Sequence, residues 1–191
     1  MFNQQSSTPQ LRDAAGIVLC GGSSIRMGTP KAWLPCGTDT FLQQIVGRLS
    51  EAVPQVVVVS SPDQSLPPLD SGVILAHDRN PGPGPLEGLA VGLRSLPEAI
   101  ETAVVVACDV PLLKPQVVYH LANLLESHDA SVPLVDGRPH PLVAVYRCSI
   151  LKQIEGLLRK DQLSMRTLLS EIDVRYIEGS DLQSIDRDLD S

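Results

Sequence analysis

The sequence predicts an α/β fold: a three-layer sandwich around a mostly parallel, Rossmann-like sheet. Three observations point there. Short apolar runs without polar alternation, at Ala14–Leu19, Val56–Val59 and Ala103–Ala107, read as strands buried on both faces. Amphipathic segments at helical spacing stand between them. Turn formers close each run. At 191 residues the chain fits one domain better than two.

In chain order, Met1 to Asp13 is polar and reads as a disordered or loosely attached leader. Residues 14–178 then form a single domain, and 179–191 an acidic tail expected to be mobile or at the surface. Ala14–Leu19 is the first strand and runs into Cys20-Gly21-Gly22. From Thr38 or Asp39 as N-cap, Phe41, Leu42, Ile45, Val46 and Leu49 mark one face of a helix. Val56–Val59 follows as a strand, which completes a crossover unit. A shorter strand is expected at Val73–Ala76, then a turn-rich stretch from Asp78 to Pro85. Beyond it come a helix with Leu86, Leu89, Ala90 and Leu93 on one side, a strand at Ala103–Ala107, and a helix opened by Pro115. Ser131–Val135 and Leu142–Tyr146 read as strands flanking a turn or substrate-facing loop, Asp136 to Pro141. Helices at Ser149–Leu158 and Ser164–Ile172, and a last strand at Asp173–Ile177, complete the order.

Composition narrows the function. Fifteen Lys plus Arg against 22 Asp plus Glu give a net charge of −7, the wrong sign for extended binding to a nucleic-acid backbone. Aromatic residues at 3% provide few platforms for stacking single-stranded bases. Cys20, Cys36, Cys108 and Cys148 form no C-x-x-C pair and have no histidine at zinc-ligand spacing, which argues against structural zinc. No secretory signal or membrane-length apolar run is visible. The expected compartment is the cytoplasm, where thiols stay reduced.

Three segments carry chemistry. Paired glycines after the first strand, in Leu19-Cys20-Gly21-Gly22-Ser23-Ser24-Ile25-Arg26-Met27-Gly28-Thr29-Pro30-Lys31, let backbone amides approach a phosphate, with Arg26 and Lys31 adding positive charge. The spacing matches neither the P-loop nor the dinucleotide fingerprint, and by itself fits either an anion cradle or a tight turn with surface cations. In Cys108-Asp109-Val110-Pro111 an aspartate closes a buried strand, where a carboxylate can hold Mg²⁺ against a substrate phosphate or simply open a turn. The stretch Asp78 to Gly88 is stiffened by prolines and leads into a helix.

Together these segments resemble the molybdenum cofactor guanylyltransferase family, which attaches GMP to molybdopterin. The family opens on L-A-G-G-x-S-x-R-M-G-x-D-K. Its later segments are matched by Asp78 with Gly84-Pro85-Leu86-Glu87-Gly88, by Cys108-Asp109-Val110-Pro111, and by His140-Pro141-Leu142-Val143-Ala144-Val145-Tyr146-Arg147. The similarity runs from about Ala15 to Ile177 and implies a nucleotide-diphospho-sugar transferase-like fold. It also implies that Leu19, Cys20, Gly21, Gly22, Lys31, Asp78 and Asp109 bind the nucleotide, that Asp109 binds Mg²⁺, and that Lys31, Asp109 and Arg26 act in catalysis. Arg138, His140 and Arg147 are the positions expected to meet the pterin substrate. Implied partners are GTP and molybdopterin, with an acceptor molybdoenzyme or its chaperone. Three positions depart from the pattern. Pro30 replaces the usual Asp before the lysine, Val59 or Ser60 stands where an Asn is common, and Ser184 to Leu189 only weakly matches the family's closing motif.

The implied reaction is attack by the pterin's terminal phosphate on the α-phosphorus of GTP, with pyrophosphate leaving. An ionised nucleophile needs no general base, in keeping with the lack of an evident Ser-His-Asp or Cys-His arrangement. Alternatives on the same fold are a cytidylyltransferase, another nucleotidyltransferase acting on molybdopterin or a sugar phosphate, and a non-catalytic nucleotide-binding protein.

Overall fold

β-branched residues flanked by turn formers build the sheet, and amphipathic stretches between them cross over its faces. The computed structural model describes residues 10–21, 30–78, 84–182 and 185. In order they form β1 (Ala14–Leu19), a 3₁₀ turn (Lys31–Trp33), β2 (Pro35–Cys36), β3 (Asp39–Thr40), α1 (Phe41–Ala52), β4 (Val56–Ser60), β5 (Ile74–His77) and α2 (Pro85–Arg94). There follow β6 (Thr102–Ala107), α3 (Pro115–Leu124), β7 (Ala130–Val135), β8 (Arg138–Pro139), β9 (Val143–Arg147), a 3₁₀ turn (Cys148–Ile150), α4 (Leu151–Leu158), α5 (Met165–Glu171), β10 (Val174–Glu178) and α6 (Gly179–Leu182).

The main sheet has eight strands in the order β10-β7-β9-β6-β1-β4-β5, with β8 folded back on β7. β1 pairs in parallel with both β4 and β6, β4 with β5, and β10 with β7. β9 runs antiparallel between β6 and β7. The central strands are buried on both faces because helices cover both sides. Val18, Val58, Val104 and Val106 share a core with Leu42, Ile45 and Leu49 of α1 and Val117, Val118 and Leu121 of α3. Ile17, Leu19, Val57 and Val105 pack on the other face against Leu86, Leu89 and Leu93 of α2, Ile154 of α4 and Leu168 of α5. This is the expected three-layer α/β sandwich.

The chain leaves β1 for β4 in one direction and crosses from β5 to β6 in the other. A constant handedness of crossover then requires α1 and α2 to lie on opposite faces, as they do. Gly92 permits close seating of α2 on β1, since a Cβ there would come within 2.6 Å of Ile17 Cγ2.

Several boundaries differ from expectation. Thr40, not Thr38 or Asp39, caps α1. Its hydroxyl accepts from the Gln43 amide while the Gln43 side chain accepts from the Thr40 amide, a reciprocal box that Asp39 is too early to make. Asp39 instead pairs with Cys36 in the β2–β3 ribbon. The strand expected at Val73–Ala76 begins and ends one residue later, in register with Val57 to Ser60. Gln10 and Leu11, assigned to the leader, are tied down: the Gln10 amide donates to the Ser50 carbonyl at 2.7 Å and the Leu11 N–H to Ala52 at 2.9 Å. In the tail, Leu182 is buried and Ile185 packs on the same core. Most of the weak C-terminal match lies outside the described residues. Among the described residues no helix is long and apolar enough to cross a membrane.

Candidate active site

β1, β4, β5 and β6 are parallel, and β7 shares their direction through its antiparallel link to β9. Their carboxyl ends therefore meet at one edge of the sheet. The strand order reverses at β1, so this is the edge at which open α/β sheets receive ligands. Single hydrogen bonds carry the ladder one residue past the strands: Cys20 N–H to Val59 at 2.8 Å, Asp78 N–H to Ser60 at 2.9 Å, and Cys108 N–H to Leu19 at 3.1 Å. Cys20, Gly21, Ser60, Asp78, Cys108 and Asp109 are gathered along this rim.

Lys31 reaches the rim from the 3₁₀ turn. Pro30, which stands where a family Asp was expected, opens that turn with φ −58°, and its carbonyl accepts from the Trp33 amide. Ala32 is fully buried, and the Trp33 indole N–H donates to the Ser65 carbonyl at 2.9 Å. Fixed from two sides, Lys31 directs its Nζ to Asp109 Oδ2 at 2.5 Å. Both side chains stay accessible, at 42% and 39% exposure. The hydrogen bond that Lys31 donates to the Asp109 carboxylate raises its ammonium above the usual lysine value. Asp109 begins the turn after β6, which buried Leu113 anchors.

The glycine turn divides its labour. The Cys20 N–H and the Leu19 carbonyl are already committed to the sheet, whereas a Cβ placed on Gly21 would meet nothing within 4 Å among the described residues. Gly21 is exposed, with no described residue crowding its backbone. Gly22 and Arg26 lie outside the described residues. Asp78, which follows β5, is buried. Beneath the rim, Cys20 donates a thiol hydrogen bond to Cys108. That bond holds Cys108 below the ordinary thiol value, and together with burial it pushes Cys20 up.

Arg138 and His140 lie on the β7–β8 hairpin and on the loop entering β9, both exposed and on the same edge as Asp109. Asp136 and Gly137, with φ of 50° and 71°, make the two-residue turn. The fully buried Tyr146 donates its hydroxyl to the Pro141 carbonyl at 2.8 Å and pins that loop. Arg147 is elsewhere. It pairs with Thr102 at the opposite edge, where its guanidinium donates to the Glu126 and His128 carbonyls. The structure thus does not bring Arg147 to the rim with Asp109: because β9 runs antiparallel to β6, its last residue lies at the opposite edge.

Sequence reading missed two features here. Ser60 Oγ lies 3.3 Å from His77 Nδ1, and Trp33 anchors the lysine turn. Both depend on strand neighbours and loop packing that no local motif encodes.

The MobA-like NTP transferase domain family matches residues 16–176. A Mycobacterium avium protein described as a probable molybdenum cofactor guanylyltransferase is 39% identical over 167 residues, covering 85% of this chain and 84% of that one. Among solved structures, molybdopterin-guanine dinucleotide biosynthesis protein A from Archaeoglobus fulgidus superposes with a TM-score of 0.74 at 24% identity, covering 92% of this chain and 89% of the other. A Mycobacterium tuberculosis protein crystallised with manganese has the same fold, with a TM-score of 0.59 at 16% identity over 86% of this chain and 87% of that one.

Proposed function

The chain belongs to the MobA-like NTP transferase family, and from that premise we propose that it transfers GMP from GTP to the terminal phosphate of molybdenum-molybdopterin, forming the guanine dinucleotide and pyrophosphate in the cytoplasm. The observation that carries this reading is the Lys31–Asp109 pair, held at 2.5 Å on the strand edge beside the exposed Gly21.

Asp109 would hold the divalent ion, taken here as Mg²⁺, through a carboxylate that is accessible and already neutralised by a cation. One protein carboxylate completed by substrate oxygens and water suits a small, hard ion. Bound there, the ion would neutralise charge on the phosphates. The chain's own groups do the rest. Lys31 moves its ammonium, charged at neutral pH as any lysine is, from the carboxylate to the phosphate oxygens. The backbone at Gly21 comes close to the nucleotide because no side chain intervenes. Leu19 and Cys20 keep that turn rigid through their bonds to β6 and β4, and Asp78 closes the nucleotide side of the rim. The acceptor enters along the loop bearing Arg138 and His140, whose basic side chains suit its phosphate. No proton need be removed from an ionised phosphate nucleophile, so positioning and charge carry the catalysis.

Supplying GTP, CTP and ATP in parallel with molybdopterin and magnesium tests the reading. A guanine dinucleotide and pyrophosphate are expected. A cytidine product would change the base, and no product with any nucleotide would overturn the assignment.

A further inference from the structure

Two of the four cysteines face each other directly below the site, and the proposed reaction uses neither thiol. Cys20 and Cys108 are the first residues beyond β1 and β6, strands paired in parallel with Leu19 opposite Ala107. The Cys108 N–H to Leu19 bond extends that register by one residue, so Cys20 stands opposite Cys108. Both side chains join the core on the α1 and α3 face, at 4% and 5% exposure. Paired strands run about 4.7–4.9 Å apart. That spacing falls inside the Cα separation of about 4.4–6.8 Å that a disulfide spans. Gly21 and Asp109, the next residues on either side, are exposed, so a small oxidant approaching from the rim is one residue from the sulfurs.

We propose that Cys20 and Cys108 form a reversible disulfide that disables the nucleotide cleft, making the floor of this site a point of redox modification. With hydrogen peroxide as oxidant, one sulfur attacks the O–O bond, giving a sulfenic acid and a first water. The second sulfur then attacks the sulfenic sulfur: the S–S bond forms, the S–O bond breaks, and a second water leaves. Two thiols give up two electrons and two protons, and hydrogen peroxide becomes two waters. A dithiol reductant reverses the change by exchange. The Cα spacing suits the bridge, so drawing the sulfurs together to about 2.05 Å is met by side-chain rotation and a small adjustment of the backbone at residues 20 and 108. Gly21 and Asp109 move with it, and a displacement of about 1 Å in a catalytic group can lower a rate about 100-fold. The bond itself stands apart from the proposed reaction; its effect on GTP rests on that reading.

The test uses the full chain, first reduced and then treated with hydrogen peroxide. Digestion without reductant, followed by peptide mass analysis, is expected to show a Cys20–Cys108 cross-link. GTP–magnesium affinity, measured by calorimetry, is expected to fall at least about tenfold and to return after dithiothreitol. Cys108→Ser is expected to lose the cross-link and the peroxide effect together, and Cys108→Ala repeats the test should the first variant misfold. A cross-link confined to Cys36 or Cys148, or a Cys20–Cys108 bond that leaves affinity unchanged, overturns the proposal. Failure of the reduced chain to bind GTP faults the proposed function instead, while the mapped peptides still decide the bond.

Discussion

Replacing Lys31 with alanine should separate what the ion pair does for the fold from what it does for the reaction. At 2.5 Å, with each side chain about two-fifths exposed, the attraction between Lys31 and Asp109 in a water-like dielectric is about 1.7 kcal/mol. Side-chain ordering and salt reduce such exposed pairs to about 1 kcal/mol or less. Removing the pair should therefore lower Tm by no more than about 2–4 °C in a domain of this size. Loss of a preorganised donor to a charged transition state costs about 10²–10³ in kcat. The expected signature is a near-normal melt with a rate depressed by two to three orders of magnitude. Pyrophosphate release in the presence of molybdopterin, GTP and magnesium, alongside thermal unfolding, measures both. Asp109→Ala should behave alike and also raise the metal concentration needed. A rate within threefold of the parent in both variants, or a melt lowered by more than about 10 °C, refutes the reasoning. The pH axis has a definite sign. The Lys31 pKa is raised in the folded chain, so its contribution is complete below the unfolded lysine value and is lost only as pH rises through the folded one. No loss of Lys31 function is expected between neutral pH and the ordinary lysine range.

Two further perturbations test the architecture. Arg147→Ala removes a guanidinium that donates to two backbone carbonyls at the edge remote from the site. It should cost about 1–3 kcal/mol of stability and leave the KM for the pterin unchanged, whereas a KM raised tenfold would restore Arg147 to the substrate site. Gly92→Ala places a methyl within 2.6 Å of the branched Cγ2 of Ile17, which cannot swing aside without repacking β1. Calorimetric unfolding should show a loss of about 1–3 kcal/mol, and an unchanged Tm would mean that α2 is not seated as described.

The central strands were legible because burial on both faces leaves no polar alternation to blur them. Ala14–Leu19 was read with the bounds that the fold shows, and Val56–Val59 and Ala103–Ala107 within one residue at each end. The rim chemistry was legible for a related reason. In parallel strands the residues that follow each run fall on one edge, so Gly21, Asp78 and Asp109 can be associated before their distances are known. That logic fails where a strand reverses. His140 and Arg147 are neighbours in one motif, yet β9 lies between them, and five strand residues at about 3.3 Å each place the arginine some 16 Å further along the sheet. A motif read as a unit hides such a separation; the direction of the strand beneath it decides which of its residues face the substrate. The thiol pair was hidden in the opposite way. Cys20 and Cys108 are far apart in sequence, and they meet only because β1 and β6 are adjacent and in register. Strand order, which no local pattern contains, thus sets Arg147 at the edge away from Asp109 and places an unexpected pair beneath the rim.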